Sequence, residues 1–69
     1  MSQEKILIDN LEYLSEIDSN KTSESIWLPK VAESIAIINN NTITNLSLVN
    51  LLIESIPDNL IRDKIMKSI

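Results

Sequence analysis

The sequence predicts an all-α protein, a small bundle of three to four short helices that forms a dimer. Apolar residues recur at helical spacing in several segments of the chain. The chain has no glycine, so the tight turns of β-hairpins lack the residue that suits them best. Its 69 residues allow one domain, residues 1–69, with a modest core and no Cys or His for disulfides or metal sites. A second chain is therefore the expected source of additional stability.

The first predicted helix runs from Gln3 to Asp18, and Ser2 is suited to cap its N-terminus. Apolar side chains at helical spacing predict one buried stripe, which consists of Leu7, Leu11, Leu14 and Ile17. The opposite side carries an acidic face, which consists of Asp9, Glu12 and Glu16. Such carboxylates can serve acid–base or divalent-metal chemistry, but Lys5 lies among them and no apolar residues surround them. This environment favours a solvated face.

The second predicted helix runs from Ile26 to Asn39, with Pro29 in its first turn, where a missing N–H costs little. Its predicted buried stripe, with Trp27 beside it, consists of Leu28, Val31, Ala32, Ile35 and Ile38. Ile26 and Ile37 fall on the far side of this helix. Those two apolar side chains therefore have no place in the core that the stripe predicts.

Two further helices are predicted after an asparagine-rich break at residues 39–41. The third runs from Leu46 to Ile56 and is capped by Thr44 or Asn45, and the fourth follows Pro57 and ends near Ser68. Apolar residues cover more than half of the third helix, which is typical of a helix buried on most sides. They are Leu46, Leu48, Val49, Leu51, Leu52, Ile53 and Ile56.

Two other interpretations exist for residues 34–49. A β-hairpin is one of them, because β-branched residues abound there and Leu46 and Leu48 alternate with polar neighbours. The second is a DNA-binding helix-turn-helix, but its recognition helix would offer Asn45, Ser47 and Asn50 without Lys or Arg to hold phosphate. The spacing of leucines and the absence of a glycine turn favour two helices without a DNA-binding role.

The net charge of −4 belongs entirely to the first twenty residues, which carry five acidic side chains and one lysine. No cluster of Lys and Arg exists elsewhere, which disfavours a nucleic-acid ligand. An acidic helix favours a basic protein partner, whose association it would accelerate.

Catalysis and membrane insertion are both disfavoured. Without His, Cys or glycine, the many serines have no supporting base and no phosphate-binding loop can form, so we expect no enzyme and no cofactor or metal. The stretch from Ser34 to Ile53 has no charge and is long enough to span a membrane, but five asparagines interrupt it. A cytoplasmic location without a membrane helix is expected.

Surplus apolar surface predicts a second buried face. Several apolar residues lie off the main stripe of their helix, where one small bundle cannot bury them all. Trp27 could serve as an aromatic anchor of such a face or as a core residue that closes the bundle. The predicted partner or dimer interface comprises Leu48, Leu51, Leu52, Ile37, Ile26 and Trp27.

These observations predict a non-enzymatic protein–protein interaction module, a small acidic regulator, inhibitor or assembly factor that binds a protein partner as a homodimer. Two alternatives stay open. One is a nucleic-acid-linked regulator, either a weak helix-turn-helix or an acidic protein that occupies a DNA-binding surface. The other is a structural subunit that self-assembles.

Overall fold

Four α-helices pack around a shared apolar core. The computed structural model describes residues 2–40 and 43–69. Within them the helices are α1 (Gln3–Leu14), α2 (Glu24–Asn40), α3 (Leu46–Glu54) and α4 (Asn59–Met66). No strand occurs in this described part of the chain. The predicted all-α class and the bundle of short helices are therefore confirmed.

The helices are arranged as a ring in the order α1, α2, α4 and α3. The main contacts join α1 to α2 and α3, and α4 to the same two helices, so α2 lies diagonally across from α3. The radius of gyration is 11.1 Å, against about 11 Å for a folded chain of this length. The accessible surface is 4369 Å², and about 4,400 Å² is typical of a monomer of this mass. One chain is thus as compact as an ordinary monomeric domain.

The core draws side chains from every helix and from the segment after α3. Its buried members are less than one-twentieth exposed. They are Leu7, Leu11, Leu14, Trp27, Val31, Ile37, Val49, Ile53, Ile56, Ile61 and Ile65.

Helix α1 begins where the sequence predicts it and ends earlier. The Ser2 hydroxyl accepts the Lys5 N–H at 3.1 Å, which confirms the N-cap. The helix ends at Leu14 rather than Asp18, because the Ser15 hydroxyl bonds the Glu12 carbonyl at 2.6 Å and the next two N–H groups bond carbonyls three residues back. Ile17 lies beyond the helix but still packs against the core.

Helix α2 begins two residues before its predicted start, so Pro29 lies inside the helix rather than in its first turn. A proline there removes one hydrogen bond to the carbonyl four residues earlier, which belongs to Ser25. Both Pro29 and Ser25 are exposed, so water can solvate that carbonyl. This placement limits the cost of an interior proline.

The buried face of α2 differs from the predicted stripe. Its buried residues are Trp27, Val31, Ser34 and Ile37. Leu28 is 37% exposed, and Ala32 is also exposed. Because α2 contacts both α1 and α4, its buried arc is wide enough to include Ile37, whose predicted place on the far side was wrong. The Ser34 hydroxyl is satisfied within the helix by the Lys30 carbonyl at 2.7 Å.

The chain is helical both before and after the connection between α2 and α3. The β-hairpin interpretation is therefore wrong for the described residues. Asn41 and Thr42, where the hairpin would turn, lie outside them. Asn45 caps α3 by accepting the Leu48 N–H at 3.1 Å, and Asp58 caps α4 by accepting the Ile61 N–H at the same distance. Helix α3 ends at Glu54, before the residue that the sequence predicts, and α4 ends at Met66.

Candidate protein-binding surface

The exposed side of α3 carries no charge until its last residue. Val49 and Ile53 point into the core at 1% and 2% exposure, whereas Leu46 and Leu51 are 53% and 59% exposed. Leu46 lies in the first turn on the same side as Ile53, whereas Leu51 lies opposite it. The exposed polar residues Ser47 and Asn50 are uncharged. We call the surface around Leu51, opposite Val49 and Ile53, the α3 outer face. Depletion of charge together with exposed leucines is typical of the centre of a protein interface.

A groove runs between α3 and α4. It has a volume of about 180 Å³ and is lined by Asn50, Ile53, Glu54, Met66 and Ile69. Met66 is 50% and Ile69 60% exposed, so two apolar side chains of this groove are open to solvent. We call this feature the α3–α4 groove. Sequence analysis missed it, because it depends on how α4 docks against α3.

The predicted interface residues fall into three environments. Trp27 and Ile37 are core residues at 1% and 4% exposure, so neither can contact a partner in this fold. Leu48 and Leu52 are half-buried, and Leu52 packs against the core.

Only Leu51 and Ile26 are exposed over most of their surface. Since α2 lies diagonally across from α3, these two side chains do not share one patch. On α3, Leu51 is therefore the predicted interface residue that is open to solvent over most of its surface.

The acidic face of α1 is shorter than predicted. Asp9, Glu12 and Glu16 are all exposed, and Lys5 pairs with Asp9 at 2.9 Å. Glu16 lies after the end of α1, where it lines an open cleft of about 380 Å³ together with Asp18 and Asp58. The helical part of the acidic face is therefore Asp9 and Glu12, and Glu16 extends it toward the cleft.

Two carboxylates tie the interhelical connections to the bundle, and sequence analysis missed both contacts. The Glu4 carboxylate accepts the Thr44 N–H at 2.9 Å and its hydroxyl at 2.8 Å, and these bonds hold the pKa of Glu4 below its ordinary value. Asp58 accepts the Ser19 N–H at 2.7 Å, which is the main reason why the pKa of Asp58 is lowered. Only the cap position of Asp58 left a signal in the sequence.

A polar contact also crosses the interface between α1 and α2. The Asn10 side chain, only 5% exposed, donates to the Glu33 carboxylate at 2.7 Å. A buried amide needs such a partner, because leaving it unpaired would cost free energy. This contact fixes how the two helices are aligned and has no evident part in binding.

The described residues contain no group of three side chains that could hold a metal ion. Among their helices, none has the length and hydropathy that crossing a membrane requires. No family model matches the chain, and neither a curated protein nor a solved structure matches it.

Proposed function

We propose that this chain is a non-enzymatic protein-interaction module, a small acidic regulator, inhibitor or assembly factor that works as a homodimer. The α3 outer face carries the proposal. Leu51 on this face is 59% exposed, and Leu46 in the first turn of the same helix is 53% exposed, in a segment without charge. Burial of these leucines against another protein would be favourable, because it removes from water apolar surface that the monomer leaves exposed.

The acidic face of α1 provides a second contact of different character. Asp9 and Glu12 are exposed on α1, whereas the leucines lie on α3. Asp9 is partly neutralised by Lys5, and Glu12 and Glu16 carry the remaining negative charge. A dimer would present two such faces and attract a basic partner surface, chiefly by raising the association rate.

Neutralising the acidic face should remove the basic partner. We expect proteins captured from an extract of the native host by the wild type to be lost with the Glu12→Gln/Glu16→Gln double variant. The same proteins should be retained by Glu24→Gln, which removes an exposed acid from α2 instead. Mass spectrometry of the captured proteins, at two salt concentrations, is the measurement.

The proposal of a basic partner fails if the double variant captures the same proteins as the wild type. The nucleic-acid alternative would be supported instead if the chain retards DNA and the effect weakens steeply as salt rises. Growth of the mass beyond a dimer with concentration would support the self-assembling subunit.

A further inference from the structure

We infer that residues 20–28 form a strap that opens about Pro29 and brings Trp27 to the surface while the rest of the bundle stays folded. We call this segment the α2 strap. It comprises the connection that follows Ser19 and the beginning of α2. Among residues 20–30, Trp27 is the only buried one. A single side chain therefore holds the strap against the core.

The hydrogen bonds of the strap before Trp27 are local. The N–H groups of residues 20–22 are bonded to Asp18, and the Ile26 N–H is bonded to the Ser23 carbonyl. These bonds do not join the strap to another helix, so they can persist when the strap moves.

The attachment through Trp27 is incomplete. Its side chain is 1% exposed, but the indole N–H is buried without an acceptor among the described residues. Opening of the strap exposes the apolar ring to water, which is unfavourable. It also gives the indole N–H a hydrogen bond to water, which is favourable because a buried donor without a partner is costly. The free energy needed for opening is therefore smaller than the size of the buried ring alone indicates.

Pro29 places the hinge at the end of the strap. Because proline has no N–H, the Ser25 carbonyl lacks its helical partner, and the beginning of α2 is joined to the rest of the helix by one hydrogen bond fewer. The residue before a proline prefers an extended backbone, which Leu28 can adopt when the strap opens. Helix α2 then begins at Pro29, and proline is favoured at the first position of a helix.

Both sides of the strap remain attached when it opens. Before the strap, the Asp58 carboxylate accepts the Ser19 N–H at 2.7 Å. After the hinge, α2 keeps three buried residues, which are Val31, Ser34 and Ile37. The bundle therefore retains its other contacts in the open form.

Opening exposes an apolar run that the closed bundle interrupts. Ile26 and Leu28, the neighbours of Trp27 in the chain, are already 54% and 37% exposed. Release of Trp27 brings three consecutive apolar residues into water. Trp27 is then a core residue in the closed form and an exposed aromatic side chain in the open form.

Hydrogen exchange measured by NMR tests the strap, because Trp27 is the only tryptophan and gives one indole N–H signal. Opening breaks the bonds from the Lys30 and Val31 amides to carbonyls four residues earlier. We expect these amides and the indole N–H to share one protection factor, about tenfold or more below that of the Ile38 amide. Low urea should leave their exchange nearly unchanged but accelerate that of Ile38, which requires unfolding of the bundle.

Pro29→Ala should hold the strap closed, because alanine supplies the missing N–H to the Ser25 carbonyl. The protection factors of the indole N–H and of the Lys30 and Val31 amides should rise about tenfold or more. Pro57→Ala is the matched control, because Pro57 is exposed and lies outside α2. It should leave these protection factors within about twofold of the wild type.

The strap is overturned if the indole N–H exchanges only as slowly as the Ile38 amide, with the same dependence on urea. Early exchange of Lys30 and Val31 alone would then reflect fraying of the helix. Unchanged protection in Pro29→Ala overturns it as well. Both measurements use the free chain, so their outcome does not depend on the proposed function.

Discussion

Trp27→Ala should lower the free energy of unfolding by about 3–5 kcal/mol. Trp27 is 1% exposed and is the largest of the fully buried side chains. Its removal would leave a cavity where α2 meets the core, and the surrounding residues could collapse into it only in part. A chain of 69 residues has a total stability of about 3–10 kcal/mol. The variant should therefore lose at least about a third of that stability.

Urea denaturation followed by circular dichroism measures this loss. Leu28→Ala is the matched control, because Leu28 follows Trp27 on α2 and is 37% exposed. This variant should lose about 1 kcal/mol of stability or less. Equal losses for the two variants would mean that α2 buries the predicted stripe, which begins at Leu28, rather than the observed face.

A tryptophan-to-phenylalanine change separates packing from polarity at this position. The indole N–H of Trp27 is buried and has no acceptor among the described residues. A buried unpaired donor costs about 1–3 kcal/mol. Trp27→Phe removes that donor while keeping most of the aromatic volume, so its loss of stability should be well below that of Trp27→Ala.

Sequence patterns predicted the features of the fold that depend on residues close together in the chain, such as helix caps. Ser2 and Asn45 cap helices as expected, because a side-chain oxygen one turn before an apolar run satisfies the first N–H groups. The early end of α1 was not predictable from apolar spacing, because Ile17 keeps its helical position in the sequence and reaches the core from the irregular segment after the helix.

The buried face of α2 and the binding surface depend on tertiary arrangement. Ile37 is a core residue because α2 packs against two other helices, α1 and α4. The apolar periodicity of α2 alone does not show how many helices it contacts. Leu51 was correctly expected off the core, since its position on α3 opposes Val49 and Ile53. Its separation from Ile26 follows from the diagonal placement of α2 and α3, which no local pattern specifies.

Asp58→Ala should lower the free energy of unfolding by about 1–2 kcal/mol, the range for loss of a strong N-cap. One carboxylate oxygen of Asp58 accepts the Ile61 N–H at 3.1 Å and so begins α4. The other accepts the Ser19 N–H at 2.7 Å and so holds the connection between α1 and α2 against α4. The carboxylate is near solvent, so its charge adds less than a buried ion would. Asp63→Ala, at an exposed position on the same helix, should change stability by no more than about 0.5 kcal/mol.

The pH dependence of stability distinguishes the charge of Asp58 from its shape. Because the Ser19 N–H lowers the folded-state pKa of Asp58 below its ordinary 3.8, this carboxylate stabilises the fold above that pH. The contribution is lost as pH falls below 3.8 and through the lowered folded pKa.

Asp58→Asn keeps an acceptor for the Ile61 N–H but has no charge to titrate. Its free energy of unfolding should therefore fall less steeply on acidification than that of the wild type. Glu4 also has a lowered pKa, so a residual slope should persist in Asp58→Asn and become smaller when Glu4→Gln is added. Urea titrations between pH 2 and about 6 measure these slopes. If the free energy of unfolding depends on pH identically in wild type and Asp58→Asn, the Ser19 contact does not depend on the charge.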